Sequence, residues 1–287
     1  MKYDLLIAGI VIRLIYSGEV PVAPYAAASF LTESREADIV LNIDVVKKVD
    51  KKPMSHIDVR TSAWEMMKDI QGIFYNIYNK EKLKAVLFIT YDYTQGTLEI
   101  AEDELHDIVP PLHVMFPILS GFLMKKNKGF FFHGSFVKIG KKGVILTGES
   151  GAGKSTLSDL LKSSGFEKIG DDRLILTSDL QEKSVLCHST PFDLKLNNWV
   201  NMFYNVDTIL CLSHSVNGSN CLKKQNMNER IGSLIFMNFL PLFMKDDLAK
   251  HFNLCENILS KIVLYDYSFV PDNTSVKYLV DNLFDSI

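Results

Sequence analysis

Val144-Ile145-Leu146-Thr147-Gly148-Glu149-Ser150-Gly151-Ala152-Gly153-Lys154-Ser155-Thr156 is the stretch that decides how this chain folds. It begins as a short apolar strand, passes through a loop with three glycines, and enters an amphipathic helix that runs from Ser155 to Ser164 and stops before Gly165. The pattern G-x-x-x-x-G-K-[ST] is complete from Gly148 to Ser155 and stands after a strand and before a helix, as a phosphate-binding loop must. The bare pattern arises by chance in roughly one chain of this length per hundred, and the strand-helix context makes it rarer. Glycines let the backbone wrap a β-phosphate with its N–H groups inward, and the helix start adds its positive end. Lys154 is expected to reach the β- and γ-phosphates, and the Ser155 hydroxyl to ligate Mg²⁺. ATP and Mg²⁺ are thus the expected cofactors, with Gly148, Glu149, Ser150, Gly151, Ala152, Gly153, Lys154, Ser155 and Thr156 around the phosphates.

Such a loop serves kinases, ATPases, GTPases and transporter motors alike. Further discrimination comes from Asp171-Asp172, which follows the helix after Phe166-Glu167-Lys168-Ile169-Gly170. Adjacent carboxylates on an extended chain face opposite ways, so one can meet a metal and the other a substrate hydroxyl. A solvated acidic turn would have the same letters.

Phe132-His133-Gly134, the glycine-rich loop and Gly170-Asp171-Asp172-Arg173 together resemble the catalytic core of the HPr kinase/phosphorylase family. These are bacterial serine kinases related in fold to ATP-dependent phosphoenolpyruvate carboxykinase. His133 lies 15 residues before Gly148 and Asp172 24 after it, in the family's register, with Gly170 where the family has Ala. The resemblance implies that Asp172 is the general base for the acceptor hydroxyl and that Asp171 assists through metal or water. It sets His133 and Lys154 at the transferred phosphoryl group. The family's L-E-I-R-G segment, with its second metal-binding Glu, is missing. Ser189-Thr190-Pro191-Phe192-Asp193-Leu194-Lys195 stands there instead and resembles the T-P-W-x-x-K stretch of shorter members, including kinases of lasso-peptide precursors. By that likeness Lys195 meets the phosphoryl group or the acceptor, and Asp193 replaces the missing acid. No basic capping loop for the HPr protein is present, which leaves a reverse phosphorylase activity open.

Composition fits an ordinary globular chain. Of 287 residues 47% are hydrophobic and 23% charged, which argues against wholesale disorder, and a formal charge of −3 gives no general pull toward nucleic acid. Cys187, Cys211, Cys221 and Cys255 are irregularly spaced, so free thiols are expected rather than disulfides or a zinc site. The apolar run after Met1 carries Asp4 and Arg13 and reads as a strand rather than an export signal. Ile108 to Met124 contains three prolines and His113 and reads as a core helix rather than a membrane span. A cytoplasmic protein without membrane attachment is expected, with self-association left open.

Along the chain, Leu5–Ile12, Ala37–Ile43, Ile70–Asn79, Leu83–Tyr93 and Thr97–Ile100 read as strands, with a hairpin turn at Thr94-Gln95-Gly96. Glu102 to Lys125 reads as helix, bent or restarted at Pro110-Pro111. Phe130–Ile139, Val144–Thr147, Leu174–Leu176, Asp207–Leu212 and Ile262–Val270 are further strands, and Asn273–Phe284 a closing helix. The fold expected is α/β: a β-rich N-terminal module over 1–105, then a P-loop kinase domain of the HPr kinase/PEP-carboxykinase type over 106–287. The expected activity is transfer of the γ-phosphoryl group of ATP to a hydroxyl, in the first instance serine, of a protein, peptide or small molecule. The alternative is an ATP-binding regulatory or scaffold protein with little catalysis. A carboxykinase is disfavoured, because no Arg-rich carboxylate set or His-based Mn²⁺ site is legible.

Overall fold

Alternating apolar side chains turn the first part of the chain into strands, one face of each sealed into a core. The computed structural model describes residues 1–20, 22–25, 27–34, 36–178, 184–192, 200–236 and 248–284. These divide into two compact units, residues 1–128 with 248–250, and residues 129–236 with 251–284.

The first unit carries an eight-stranded sheet. Its strands are β1 (Lys2–Ile7), β2 (Ile10–Tyr16), β3 (Ile39–Val46), β4 (Val59–Arg60), β5 (Trp64–Asp69), β6 (Gly72–Asn79), β7 (Lys82–Ile89) and β8 (Gln95–Ala101). Their spatial order is β1-β2-β3-β8-β7-β6-β5-β4, with β3 parallel to both of its neighbours and the other pairs antiparallel. The single strand expected over 5–12 is in fact a hairpin. Ala8 (φ +51°) and Gly9 (φ +71°) both take the left-handed conformation that a two-residue turn needs. Ile70, 95% exposed, lies in the β5–β6 turn rather than in a strand. The turn placed at 94–96 comes earlier, over 91–94, and Gln95-Gly96 already pairs within β8.

Helix α1 (Leu112–Lys125) starts directly after Pro111, so the prolines restart the chain rather than bend a longer helix. It belongs to the first compact unit, whose first segment runs to Lys128. Residues 114–124 are all buried. The Phe116 ring stacks on Trp64 at 5.9 Å, and the Trp64 indole N–H donates to the His113 carbonyl at 2.9 Å. At Gly121 a Cβ would stand 2.1 Å from the Tyr93 ring, so only glycine lets the helix approach this closely. Among the described residues no helix is long and apolar enough to cross a membrane.

The second unit stacks two sheets. One contains β9 (Gly129–Phe132), β13 (Leu174–Ser178), β14 (Val185–His188) and β15 (Phe203–Asn205), ordered β15-β14-β13-β9. The other contains β10 (Ser135–Ile139), β11 (Lys142–Thr147), β12 (Glu167–Gly170), β16 (Thr208–His214), β17 (Cys221–Gln225) and β18 (Val263–Phe269), ordered β12-β10-β11-β16-β18-β17. The strand expected over 130–139 is broken at His133-Gly134, where the chain leaves one sheet for the other.

Alternation sorts the six-stranded sheet's side chains between two cores. Val137, Val144, Leu146, Leu210 and Leu212 pack with α2 (Lys154–Ser163) and α5 (Asn273–Phe284). Phe136, Ile145, Ile209 and Leu264 face Phe130, Phe132 and Leu176 of the smaller sheet, with α3 (Met227–Phe236) and α4 (Leu248–Leu259) completing that core. Strands β11, β16 and β18 run parallel, so their carboxyl ends lie at one edge, where α/β sheets place their ligands.

Candidate active site

The glycine-rich loop leaves the carboxyl end of β11 and closes on α2. Gly148 (φ +148°), Gly151 (φ +82°) and Gly153 (φ +94°) hold left-handed or similarly restricted backbone. At Gly153 a Cβ would also lie 2.6 Å from the Phe269 ring, so the last glycine is required by both conformation and space. No side chain caps the start of α2, and the Gly153 carbonyl accepts the Leu157 N–H at 2.9 Å. Such a helix start presents N–H groups to an anion. Lys154 folds back on the loop, its Nζ donating to the carbonyls of Gly148 (2.7 Å) and Glu149 (3.0 Å).

His133 is held beside this loop by the sheet-to-sheet crossing. Its carbonyl accepts the Thr147 hydroxyl at 3.0 Å, at the last residue of β11. Gly134 follows because a Cβ there would come within 2.8 Å of the Leu146 carbonyl. The His133 ring Nδ1 lies 2.9 Å from Asp172 Oδ1. The same oxygen is 2.8 Å from Arg173 Nη1. Asp172 itself sits at φ +68°, strained for a residue with a Cβ, which turns its carboxylate away from the path of β12.

Asp171 has other partners. It is 4% exposed, its Oδ1 accepts the Ser135 hydroxyl, and its Oδ2 lies 2.8 Å from Lys168 Nζ. Asp159 adds a second carboxylate at 3.3 Å from the same ammonium. Burial works against the charge on Lys168, but the hydrogen bond and charge of Asp171, backed by Asp159, outweigh it and hold the ammonium above the ordinary lysine range. The two carboxylates take different partners although Asp172 leaves the extended conformation on which simple alternation depends, and Asp171 is committed to a cation and a hydroxyl of its own unit.

A cavity of about 310 Å³ collects these groups. His133, Asp171 and Asp172 border it from one side, and Ser150, Lys154, Ser155 and Thr156 from the other. Lys195 and Asp193 lie outside the described residues. Among the described residues no group of three or more His, Cys, Asp and Glu side chains is arranged to hold a metal ion. Sequence reading missed Ser135, Lys168 and Arg173 as the partners of the two carboxylates. Lys168 and Arg173 are near neighbours in sequence, whereas Ser135 is brought in by the β10–β12 pairing, with its register shift between Phe136 and Val137, which no local pattern announces. It also passed over His214, whose Nε2 lies 2.8 Å from the Gly151 carbonyl at the loop's other edge.

Among solved structures, the HPr(Ser) kinase/phosphatase from Coxiella burnetii is similar to this chain at 17% identity and a TM-score of 0.35, covering 54% of this chain and 97% of that one. No family model and no curated protein matches the chain.

Proposed function

We propose that the chain is an ATP-dependent kinase that transfers the γ-phosphoryl group to a hydroxyl-bearing acceptor. One observation carries this reading: His133, Asp172 and the Lys154-Ser155 pair, from three separate stretches of sequence, border one cavity beside the loop that leaves the carboxyl end of β11. The three-part sequence resemblance supports it with the same residues.

In this reading the loop N–H groups and the start of α2 hold the β- and γ-phosphates, and Lys154 exchanges its carbonyl partners for phosphate oxygens. The acceptor enters beside Asp172. Its oxygen forms the new bond to the γ-phosphorus as the bond to the β-bridging oxygen breaks, ADP leaves, and the hydroxyl proton passes to Asp172. His133 and Arg173 keep that carboxylate turned toward the cavity. With a loose transition state, positioning and charge neutralisation supply most of the acceleration.

The oxygen donors present suit a hard cation. Ser155 and Asp171 are the residues that would hold Mg²⁺, Asp171 by giving up Ser135 or Lys168, and the ion would neutralise phosphate charge. That commitment of Asp171 is also the observation that favours the second reading, an ATP-binding regulator with little turnover. A melting scan with Mg-ATP, paired with release of ADP, tests both. A nucleotide-dependent rise in Tm with ADP formation supports the kinase, a rise without turnover supports the regulator, and no rise at millimolar nucleotide refutes both.

A further inference from the structure

The glycine-rich loop has a second open flank. On the β16–β18 side lies a cavity of about 530 Å³, lined by residues 148–152, the end of β16, Arg230 and Asp266. Ser150 and Gly151 border both this cavity and the one that holds Asp172.

The two flanks differ in chemistry. The smaller one gathers Lys154, His133 and two carboxylates. In the larger one Arg230 Nη1 lies 3.0 Å from Asp266 Oδ2, Glu149 adds a second carboxylate, and His214 is turned onto the Gly151 carbonyl. Asp266 stands mid-strand in β18, paired in register with Cys211, an unusual place for a carboxylate. Arg230 and Asp266 are each more than a third exposed, and an ion pair so accessible adds little to stability. Its position at the loop therefore calls for another explanation.

A triphosphate lying along the loop has its γ end at Asp172 under the kinase reading, on which this inference rests. Whatever the α-phosphate carries must then leave by the opposite flank. That flank is the larger, within the volume range of small-molecule sites, and its one cation is outnumbered by the carboxylates of Asp266 and Glu149, which suits an uncharged ring and hydroxyl donors better than a further anion. We propose that this cavity is the nucleoside subsite, in which Asp266, oriented by Arg230, accepts hydrogen bonds from the ribose hydroxyls. The acceptor hydroxyl then has the Asp172 flank to itself, and the nucleotide and acceptor approach the loop from opposite sides.

The experiment is calorimetric titration of the full chain with Mg-ATP, Mg-2′,3′-dideoxy-ATP and Mg-tripolyphosphate, for wild type and Asp266→Ala. Wild type should bind ATP roughly tenfold or more tightly than the dideoxy nucleotide, the worth of one hydrogen bond to a charged group. Asp266→Ala should bring ATP to the dideoxy level and leave tripolyphosphate binding unchanged. Equal affinity of wild type for ATP and dideoxy-ATP overturns the assignment, and this arm needs no variant to fold. Equal losses of ATP and tripolyphosphate in Asp266→Ala overturn it as well, since the residue would then act on the loop. A wild type that binds neither ATP nor tripolyphosphate refutes the phosphate-loop reading itself, and the subsite with it.

Discussion

Each unit buries a carboxylate among cations, and the two cases differ in what lies next door. In the first unit Glu65, on β5, is ringed by Lys51 (2.7 Å), Arg60 (3.1 Å), the Tyr78 hydroxyl (2.8 Å) and Asn76. In the second, Asp171 is as firmly held by Lys168 and Ser135, but the next residue turns out at a positive φ into a cavity shared with Lys154 and Ser155. A satisfied buried charge is what a sheet needs to tolerate a carboxylate. A strained, accessible carboxylate next to a satisfied one is the feature on which the proposed role of Asp172 rests.

The comparison predicts separable responses. Lys154→Ala should remove the nucleotide-induced stabilisation, about 2.7 kcal/mol at a ligand concentration one hundred times Kd, while Glu65→Gln keeps it. Melting scans with and without Mg-ATP decide this, and an undiminished shift in Lys154→Ala would break the contrast. Leu161→Ala, at a fully buried position of α2, should cost about 2–5 kcal/mol in urea unfolding without altering the loop's own residues. A loss below 1 kcal/mol would mean that the helix is not anchored as described.

The pH dependence sharpens the same contrast. Hydrogen bonds from Lys51 first, and then from Tyr78, outweigh burial and hold Glu65 below the ordinary glutamate range. A depressed acid stabilises fully above its unfolded value of about 4.3, and that contribution is lost as pH falls through the folded value. Lys168 is the reverse case: its raised pKa gives a contribution complete below about 10.4 and lost as pH rises through the folded value. Urea midpoints against pH should therefore show a flattened acid limb in Glu65→Gln and a flattened alkaline limb in Lys168→Gln. Unchanged limbs would remove the charge argument for that unit.

The smallest effect concerns the thiols. All four cysteines are free, and only Cys221 is exposed. Burial pushes Cys211 up to about 11 and Cys255 up to about 12, and holds Cys187 well above the usual thiol range. A thiol reagent under native conditions should label Cys221 alone by mass spectrometry, and four sites after denaturation. Uniform native labelling would contradict the packing around β14, β16 and α4.

Much of this was legible in the chain, for physical reasons. Strands with one buried face show in the alternation, and the loop shows because phosphate binding demands glycines at set positions. Two apolar runs misled. Leu5–Ile12 conceals a hairpin because Ala8-Gly9 is small and apolar, and Phe130–Ile139 conceals a change of sheet because both halves are buried. Lys168 stands only three residues from Asp171, but Ser135 reaches it through strand pairing, and His214, Arg230 and Asp266 come together from β16, α3 and β18, which leaves no local pattern to read.

The central claim is that Asp172 takes the acceptor's proton, and Asp172→Asn tests it most directly. The amide keeps the side chain's size but cannot accept a full proton. Mg-ATP affinity should hold, because the loop backbone and Lys154 make the phosphate contacts. Phosphoryl transfer, followed by isotope exchange or slow ATP hydrolysis until an acceptor is found, should fall by roughly two to four powers of ten, toward the lower end for a loose transition state. An Asp172→Asn protein that binds ATP normally and turns over at the wild-type rate would contradict the account at its centre.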